Sequence, residues 1–112
     1  MNKEFVPYEL ALKLKQLGFD EPCIATHGYL ELYINTDDGH IKAPLYQQAF
    51  RWFREKYKLS GLIEIGTHKY SFIIFNEAKD SRKITSSMNG TFEEAELACL
   101  TKLIEIVETQ TK

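Results

Sequence analysis

The sequence has few of the motifs that assign a catalytic function. Its 112 residues contain no glycine-rich phosphate loop, no paired-carboxylate motif and no Cys–His–Asp arrangement. The two cysteines, Cys23 and Cys99, lack the spacing of a metal site and lie among apolar residues, so two free buried thiols are expected. These absences argue against an enzyme and against a bound cofactor.

Long apolar runs and an excess of basic charge are missing as well. No run approaches the roughly 18 apolar residues of a membrane span, and residues 1–5 do not resemble a signal peptide, so a cytoplasmic protein without a membrane partner is expected. The formal net charge of −2 gives no overall attraction for nucleic acid. A composition of 44% apolar and 27% charged residues predicts one globular domain over residues 1–112.

Three segments have the apolar spacing of helices. The first is predicted from Pro7 to Leu17 and ends at Gly18. The central helix, Ala43–Lys58, carries the only tryptophan and is expected to stop at Leu59–Gly61. The third begins with the capping box Thr91–Glu94. Its buried stripe is expected to contain Leu100, Leu103, Ile104 and Val107.

Two hairpins are predicted between these helices. The first joins Cys23–Ala25 to the alternating segment Tyr29–Asn35, and the second joins Leu62–Ile65 to Tyr70–Asn76. The element order is therefore α-β-β-α-β-β-α. It predicts an α+β fold in which a four-stranded antiparallel sheet carries helices on one face.

Residues 77–90 show little pattern, and three interpretations stay open. They form a mobile loop, a functional lid, or an edge strand around Arg82–Thr85. Lys79, Arg82 and Lys83 make this stretch basic, which solubility alone explains.

A weak internal repeat predicts the faces of the strands. Residues 26–35 align without gaps with residues 67–76, and Thr, His, Tyr and the closing Asn are identical. Either the repeat unit is a helix and a hairpin, over residues 7–35 and 44–76, or the match is a coincidence between two hairpins with similar turns. The repeat places Tyr29, Glu31, Tyr33, Tyr70, Phe72 and Ile74 on one face, away from the helices. Such an aromatic face is typical of a homo-oligomer interface or of a surface that stacks on flat bases.

One glutamine and three basic residues at helical spacing form a stripe on the central helix, called the basic stripe. Its members are Gln47, Arg51, Arg54 and Lys58. The planar donors of arginine suit phosphate, although a solvated helix face explains the same pattern. We therefore assign phosphate contacts to Arg51, Arg54 and Arg82 as a hypothesis. Base stacking is assigned to Trp52 or to Tyr29, Tyr33 and Tyr70.

The three histidines are His27, His40 and His68. None has the spacing that would pair it with a nucleophile. A metal site shared by His27 and His68 lacks further soft ligands, so no metal is expected.

Three parts of the chain carry a resemblance to known sequences. They are KEFVPYELA with GFDEPC (Lys3–Ala11, Gly18–Cys23), APLYQQAFRWFREKY (Ala43–Tyr57), and TFEEAE running into LIEIV (Thr91–Glu96, Leu103–Val107). Together they resemble a group of small uncharacterised proteins encoded by phages, prophages and mobile elements of Bacteroides-like bacteria. The resemblance implies expression in the cytoplasm of a bacterial host and a role in phage–host conflict or phage replication. It supplies no binding or catalytic residues.

Three functions are compatible with these features. The first is a non-enzymatic phage protein that sequesters a small anionic ligand, a nucleotide immune signal of the host, as a sponge-type anti-defence protein. The second is an adaptor or inhibitor that acts on a host or phage protein. The third is a single-stranded nucleic-acid binder, which the negative net charge disfavours.

Overall fold

The α+β class is confirmed by the structure, a computed structural model that describes residues 4–28, 32–34, 41–67, 69–77, 82–88 and 90–110. Within these residues, three helices and two antiparallel sheets of three strands are found. The elements are α1 Tyr8–Gln16, β1 Ala25–His27, β2 Leu32–Ile34, β3 Ile41–Lys42, α2 Tyr46–Tyr57, β4 Leu59–Ile65, β5 Tyr70–Asn76, β6 Arg82–Met88 and α3 Phe92–Gln110.

The prediction of one four-stranded sheet is wrong. In the first sheet the strand order is β2-β1-β3, and in the second it is β4-β5-β6. Each predicted hairpin is joined by a third strand, β3 on β1 in the first sheet and β6 on β5 in the second, and no strand of one sheet pairs with a strand of the other among the described residues. The two hairpins therefore belong to separate sheets.

The chain divides into two compact units, residues 1–49 and 50–112. The first unit contains α1 and β1–β3, and the second contains β4–β6 and α3. The boundary falls inside α2, after Ala49. The single domain over residues 1–112 stays a prediction.

Helix α1 ends as its sequence predicts. Gly18 has a φ of 105°, in the left-handed region that favours glycine. Phe19 N–H donates to Leu14 O at 2.9 Å, and Gly18 N–H donates to Lys15 O at 3.0 Å. These two bonds form the Schellman arrangement that satisfies the last carbonyls of a helix.

Strand β1 lies two residues later than predicted. Thr26 and His27, expected in a turn, pair with Tyr33 and Leu32 in β2. They are held in the strand because Thr26 is buried and the ring of His27 is hydrogen-bonded. Phe5, Ala25 and Ala43 form a buried cluster beside this sheet, with Leu32 and Leu45 packed against it.

Helix α2 and strand β4 are separated by one residue. Lys58 has a φ of 59°, which reverses the chain direction at once, and Leu59 already belongs to β4. The helix stops before Leu59, as predicted, but the strand begins at Leu59 rather than at the predicted Leu62, because residues 59–61 pair with Asn76, Phe75 and Ile74.

Strand β5 has the predicted bounds, and β6 supports one of the three interpretations of residues 77–90. The residues Arg82–Met88 pair with β5 along its full length, so this part of the stretch is an edge strand. Strand β6 is three residues longer than the predicted edge strand, and it pairs with β5 on the side opposite β4.

Helix α3 is confirmed in both its start and its buried stripe. Glu94 N–H donates to Thr91 Oγ1 at 3.1 Å, and Thr91 N–H donates to Glu94 Oε1 at 3.2 Å, which completes the capping box. The stripe Leu100, Leu103, Ile104 and Val107 is buried. The helix lies close to the sheet at Gly61, where an added Cβ would be 2.9 Å from Cys99 Sγ.

The aligned segments of the repeat do not occupy equivalent places. The first hairpin closes at the pair His27–Leu32 and the second at Ile65–Tyr70. The gapless alignment matches His27 with residue 68 rather than 65, so the turns are three residues out of register. An odd shift moves every side chain to the other face of a strand. The repeat therefore gives the wrong face for β5.

Candidate functional site

The predicted basic stripe lies on the surface of α2. The side chains of Gln47, Arg51, Arg54 and Lys58 are all exposed. Arginines in this position are accessible to an anion in solution. Lysines and arginines near the last turn also oppose the negative end of the helix dipole, so this stripe has a structural explanation as well.

Trp52 is not available for stacking on a base. Only 6% of its surface is exposed. Its ring meets Phe53 and Tyr57 edge to face, with centroids 5.1 and 5.4 Å away. The ammonium of Lys56 lies 5.1 Å from the Trp52 centroid, a cation–π distance. A base could reach the indole only by displacing these neighbours, so the structure argues against the stacking role assigned to Trp52.

Tyr70 lies on the face of the sheet that α3 covers. Gly61, Ile63 and Ile65 share this face with their partners in β5, which are Ile74, Phe72 and Tyr70. Gly61 approaches Cys99 and Leu103 of α3, and the Tyr70 ring contacts Phe92, the first residue of α3. For the β5 residues Tyr70, Phe72 and Ile74, the prediction of an open aromatic face is wrong, because α3 packs on it. Phe72 and Ile74 are buried there.

The remaining predicted residues are only partly described. Tyr29 lies outside the described residues, as do the side chains of Tyr33 and Arg82. The backbone of Arg82 pairs with Asn76, which in turn pairs with Leu59, so Arg82 begins at the end of the sheet where α2 enters. Tyr70 lies at the opposite end of β5, about 20 Å away at the rise of an extended strand. One pocket within this unit cannot combine Tyr70 with the backbone position of Arg82.

His27 has a structural role. Its Nε2 lies 2.8 Å from the carbonyl oxygen of Val6, to which it donates, and the Tyr8 ring packs edge to face on the imidazole at 5.8 Å. His40 and His68 lie outside the described residues. Within the described ranges, no group of three or more His, Cys, Asp or Glu side chains is placed to hold a metal ion.

Both thiols are free, as predicted, but only Cys99 is fully buried. Burial is the main cause that raises the pKa of the Cys99 thiol to about 12, and the Glu96 carboxylate adds to it. Partial burial raises the pKa of Cys23 to about 11 against the opposing charge of Lys42. Such thiols stay protonated and are poor nucleophiles.

A small cavity lies beside α1 in the first unit. It is lined by Ala11, Lys15, Phe19, Asp20 and Lys42 and has a volume of about 180 Å³. Lys42 Nζ donates to the Asp20 carboxylate at 3.1 Å and to the Asp20 carbonyl at 3.0 Å. The volume is below the ~300 Å³ of typical ligand pockets, and the lysine charge is already paired.

An apolar surface at the turn end of the second sheet was not predicted. Ile65 and Tyr70 are directly paired across β4 and β5, and the Tyr70 ring contacts Phe92 at 6.0 Å. Ile65 remains 73% exposed and Phe92 37% exposed. We call these three residues the apolar end. The one sequence feature that points to this surface is Phe92, an apolar residue inside an otherwise polar capping box.

Comparison with known proteins leaves these features without a relative. Among the helices that the structure describes, none has the length and apolar character needed to cross a membrane. Neither a protein-family model, nor a curated protein, nor a solved structure matches this chain.

Proposed function

We propose that this is a non-enzymatic protein that binds another protein through the apolar end. The observation that carries the proposal is the contact between Tyr70 and Phe92 beside the exposed Ile65. Apolar side chains that touch one another and stay in water mark a surface that a partner covers. Aromatic residues are also enriched among the side chains that dominate binding energy at protein interfaces.

The resemblance to phage-encoded proteins suggests the class of partner. We place the protein in the cytoplasm of a bacterial host and propose that it acts on a host or phage protein, as an adaptor or inhibitor. Burial holds the thiols of Cys23 and Cys99 protonated, so neither is prepared to act as a nucleophile. These features support a binding role over a catalytic one.

The test is site-specific photo-crosslinking in a Bacteroides-type host infected with phage. The photoreactive analogue p-benzoylphenylalanine replaces Phe92 and, in the matched control, Tyr8. Tyr8 is an aromatic residue of the first unit that is 48% exposed. We expect a discrete adduct from position 92 and none from position 8. An adduct only at twice the mass of the chain, or the same adducts from both positions, contradicts the proposal.

Capture of a small anionic ligand, such as a nucleotide immune signal of the host, is the second candidate. It is favoured by the exposure of Arg51 and Arg54 on α2 and disfavoured by the burial of Trp52. A nucleotide panel read by thermal shift tests it, because a ligand at ~100 times its Kd adds about 2.7 kcal/mol of stability. The shift should vanish in Arg51→Ala/Arg54→Ala and persist in Lys13→Ala. No shift across the panel excludes capture of the nucleotides tested.

A further inference from the structure

Strand β4 is an edge strand: among the described residues, no strand hydrogen-bonds to the N–H and C=O groups on its outer side. Gly66 N–H donates to Lys69 O at 2.7 Å, and Glu77 N–H donates to Lys58 O at 2.9 Å. In an antiparallel pair, hydrogen-bonded and non-hydrogen-bonded residues alternate. The even-numbered residues of β4 therefore point their backbone groups toward β5. Leu59, Gly61, Ile63 and Ile65 point their N–H and C=O groups away from it.

Within the described residues, no strand pairs with this edge. Strand β4 is the first in the order β4-β5-β6, and the described backbone bonds outside regular elements do not involve its odd-numbered residues. Among the even-numbered side chains, on the face opposite α3, Leu62 is 53% exposed. A seven-residue strand with four large apolar side chains and an open edge is a template for pairing with another strand.

The two edges of this sheet differ in how they are protected. Strand β6 begins with Arg82 and Lys83, and charged residues of this kind discourage edge-to-edge pairing. Strand β4 contains neither proline nor a basic residue, and its one charge is Glu64. Glu64 is therefore the only charged residue that could discourage pairing at the β4 edge.

We propose that a second copy of this chain pairs with β4 through its own β4, antiparallel and about a two-fold axis at Leu62. In this register residues 59–65 of one copy pair with residues 65–59 of the other, so the odd-numbered backbone groups of both strands bond to each other. The two exposed Leu62 side chains face each other in a non-hydrogen-bonded pair. The sheets of both copies merge into one of six strands.

Charge selects this arrangement over a parallel one. A parallel pair in register would place the two Glu64 carboxylates side by side, and like charges directly opposite each other are destabilising. The antiparallel register places each Glu64 opposite Ser60 of the second copy. The two carboxylates are then four residues apart along the strand, about 13 Å. A two-fold interface is self-complementary, which one strand sequence satisfies without any other partner.

The experiment compares the wild type with Leu62→Lys and with Leu97→Lys, a control at an exposed leucine of α3. Mass is measured by sedimentation across a concentration series, and circular dichroism checks the fold. We expect the wild type and Leu97→Lys to sediment with twice the 13.0 kDa mass of one chain. Leu62→Lys should sediment with the mass of a single chain. A monomeric wild type, or a Leu62→Lys variant that stays dimeric, overturns the proposal.

Disulfide trapping tests the register. Residues in a non-hydrogen-bonded pair have Cα atoms about 4.5 Å apart, within the range of a disulfide. Leu62→Cys should therefore form a covalent dimer on oxidation, while Leu97→Cys and the wild type should not; Cys23→Ala in all three proteins removes the half-buried thiol, and Cys99 is buried. A Leu62→Cys variant that does not cross-link excludes the register. The Phe92 photo-adduct should be retained in Leu62→Lys, so failure of the dimer and failure of the proposed function are distinguishable.

Discussion

Tyr70 and Phe92 pack edge to face, with ring centroids 6.0 Å apart and ring planes at 82°. Tyr70 begins β5 and Phe92 begins α3, so this contact fixes the start of the helix on the sheet. The sequence repeat predicts that Tyr70 lies on the face of the sheet away from the helices. The tyrosine instead anchors the helix that covers that face.

The first prediction concerns this aromatic pair. Tyr70→Ala and Phe92→Ala should each destabilise the fold, and a double-mutant cycle should give a coupling of about 0.5–1.5 kcal/mol beyond the lost burial. Urea denaturation of the two single variants and the double variant measures it. Strictly additive effects would mean that the rings do not interact in solution.

The second prediction concerns the capping box of α3. Thr91→Ala removes the acceptor of the Glu94 N–H and should cost about 1 kcal/mol of unfolding free energy. Thr109→Ala is the control, because its hydroxyl only donates to the Glu105 carbonyl in an exposed last turn. Chemical denaturation compares the two variants. Equal losses would show that the cap does not hold the helix.

The third prediction concerns the close approach of α3 to the sheet. Gly61→Ala places a Cβ 2.9 Å from Cys99 Sγ and should cost about 1–3 kcal/mol through overpacking. Cys99→Ala removes the sulfur, so Gly61→Ala should be less destabilising in that background. Denaturation midpoints of the wild type, Gly61→Ala, Cys99→Ala and the double variant measure the two losses. The same loss in both backgrounds would assign the effect to the strand backbone instead.

The fourth prediction is a decline of stability at high pH. Burial raises the pKa of Cys99 from 9.0 to about 12, so between these values the folded thiol keeps a proton that the unfolded thiol releases. The unfolding free energy should therefore be unaffected by this group below pH 9 and should fall as the pH rises above it. Urea midpoints against pH measure the slope. Cys99→Ala should reduce the slope and leave the part that the raised pKa of Cys23 contributes. An unchanged slope would assign the decline to other groups.

The fifth prediction concerns the sole tryptophan. Because Trp52 is 6% exposed, acrylamide should quench its fluorescence weakly. Lys56→Ala removes the cation over the ring, should raise the quenching constant and should cost about 0.5–1 kcal/mol. Lys56→Arg keeps a cation over the ring, so it should retain the weak quenching and the stability of the wild type. Strong quenching in the wild type would restore Trp52 as a candidate stacking residue.

The elements that the sequence predicts well are those whose signals are local. Helix α3 has a capping box and a long apolar stripe, and five of the seven residues of β5 are apolar or aromatic. Strand β3 has two residues, too few for any alternation to be read. Strand β6 is polar and is held by pairing with β5, so only one of three interpretations of its segment included it.

The site was less predictable because exposure depends on distant packing. The helical spacing of Arg51 and Arg54 correctly predicts that both side chains are exposed. Lys56 follows Trp52 by four residues, so helical spacing accounts for the cation over the indole, whereas the burial of Trp52 depends on packing outside this helix turn. The face of Tyr70 depends on the register of a hairpin, and a three-residue error in the alignment of the turns reversed it.

The boundary between the two compact units has a consequence for truncation. It falls between Ala49 and Phe50, inside α2, which runs from Tyr46 to Tyr57. A cut there would leave residues 46–49 on one fragment and residues 50–57 on the other. Isolated helices shorter than ~12 residues are marginal in water. Neither fragment could keep its portion of the helix, so halves of this protein expressed separately should be poor substitutes for the intact chain.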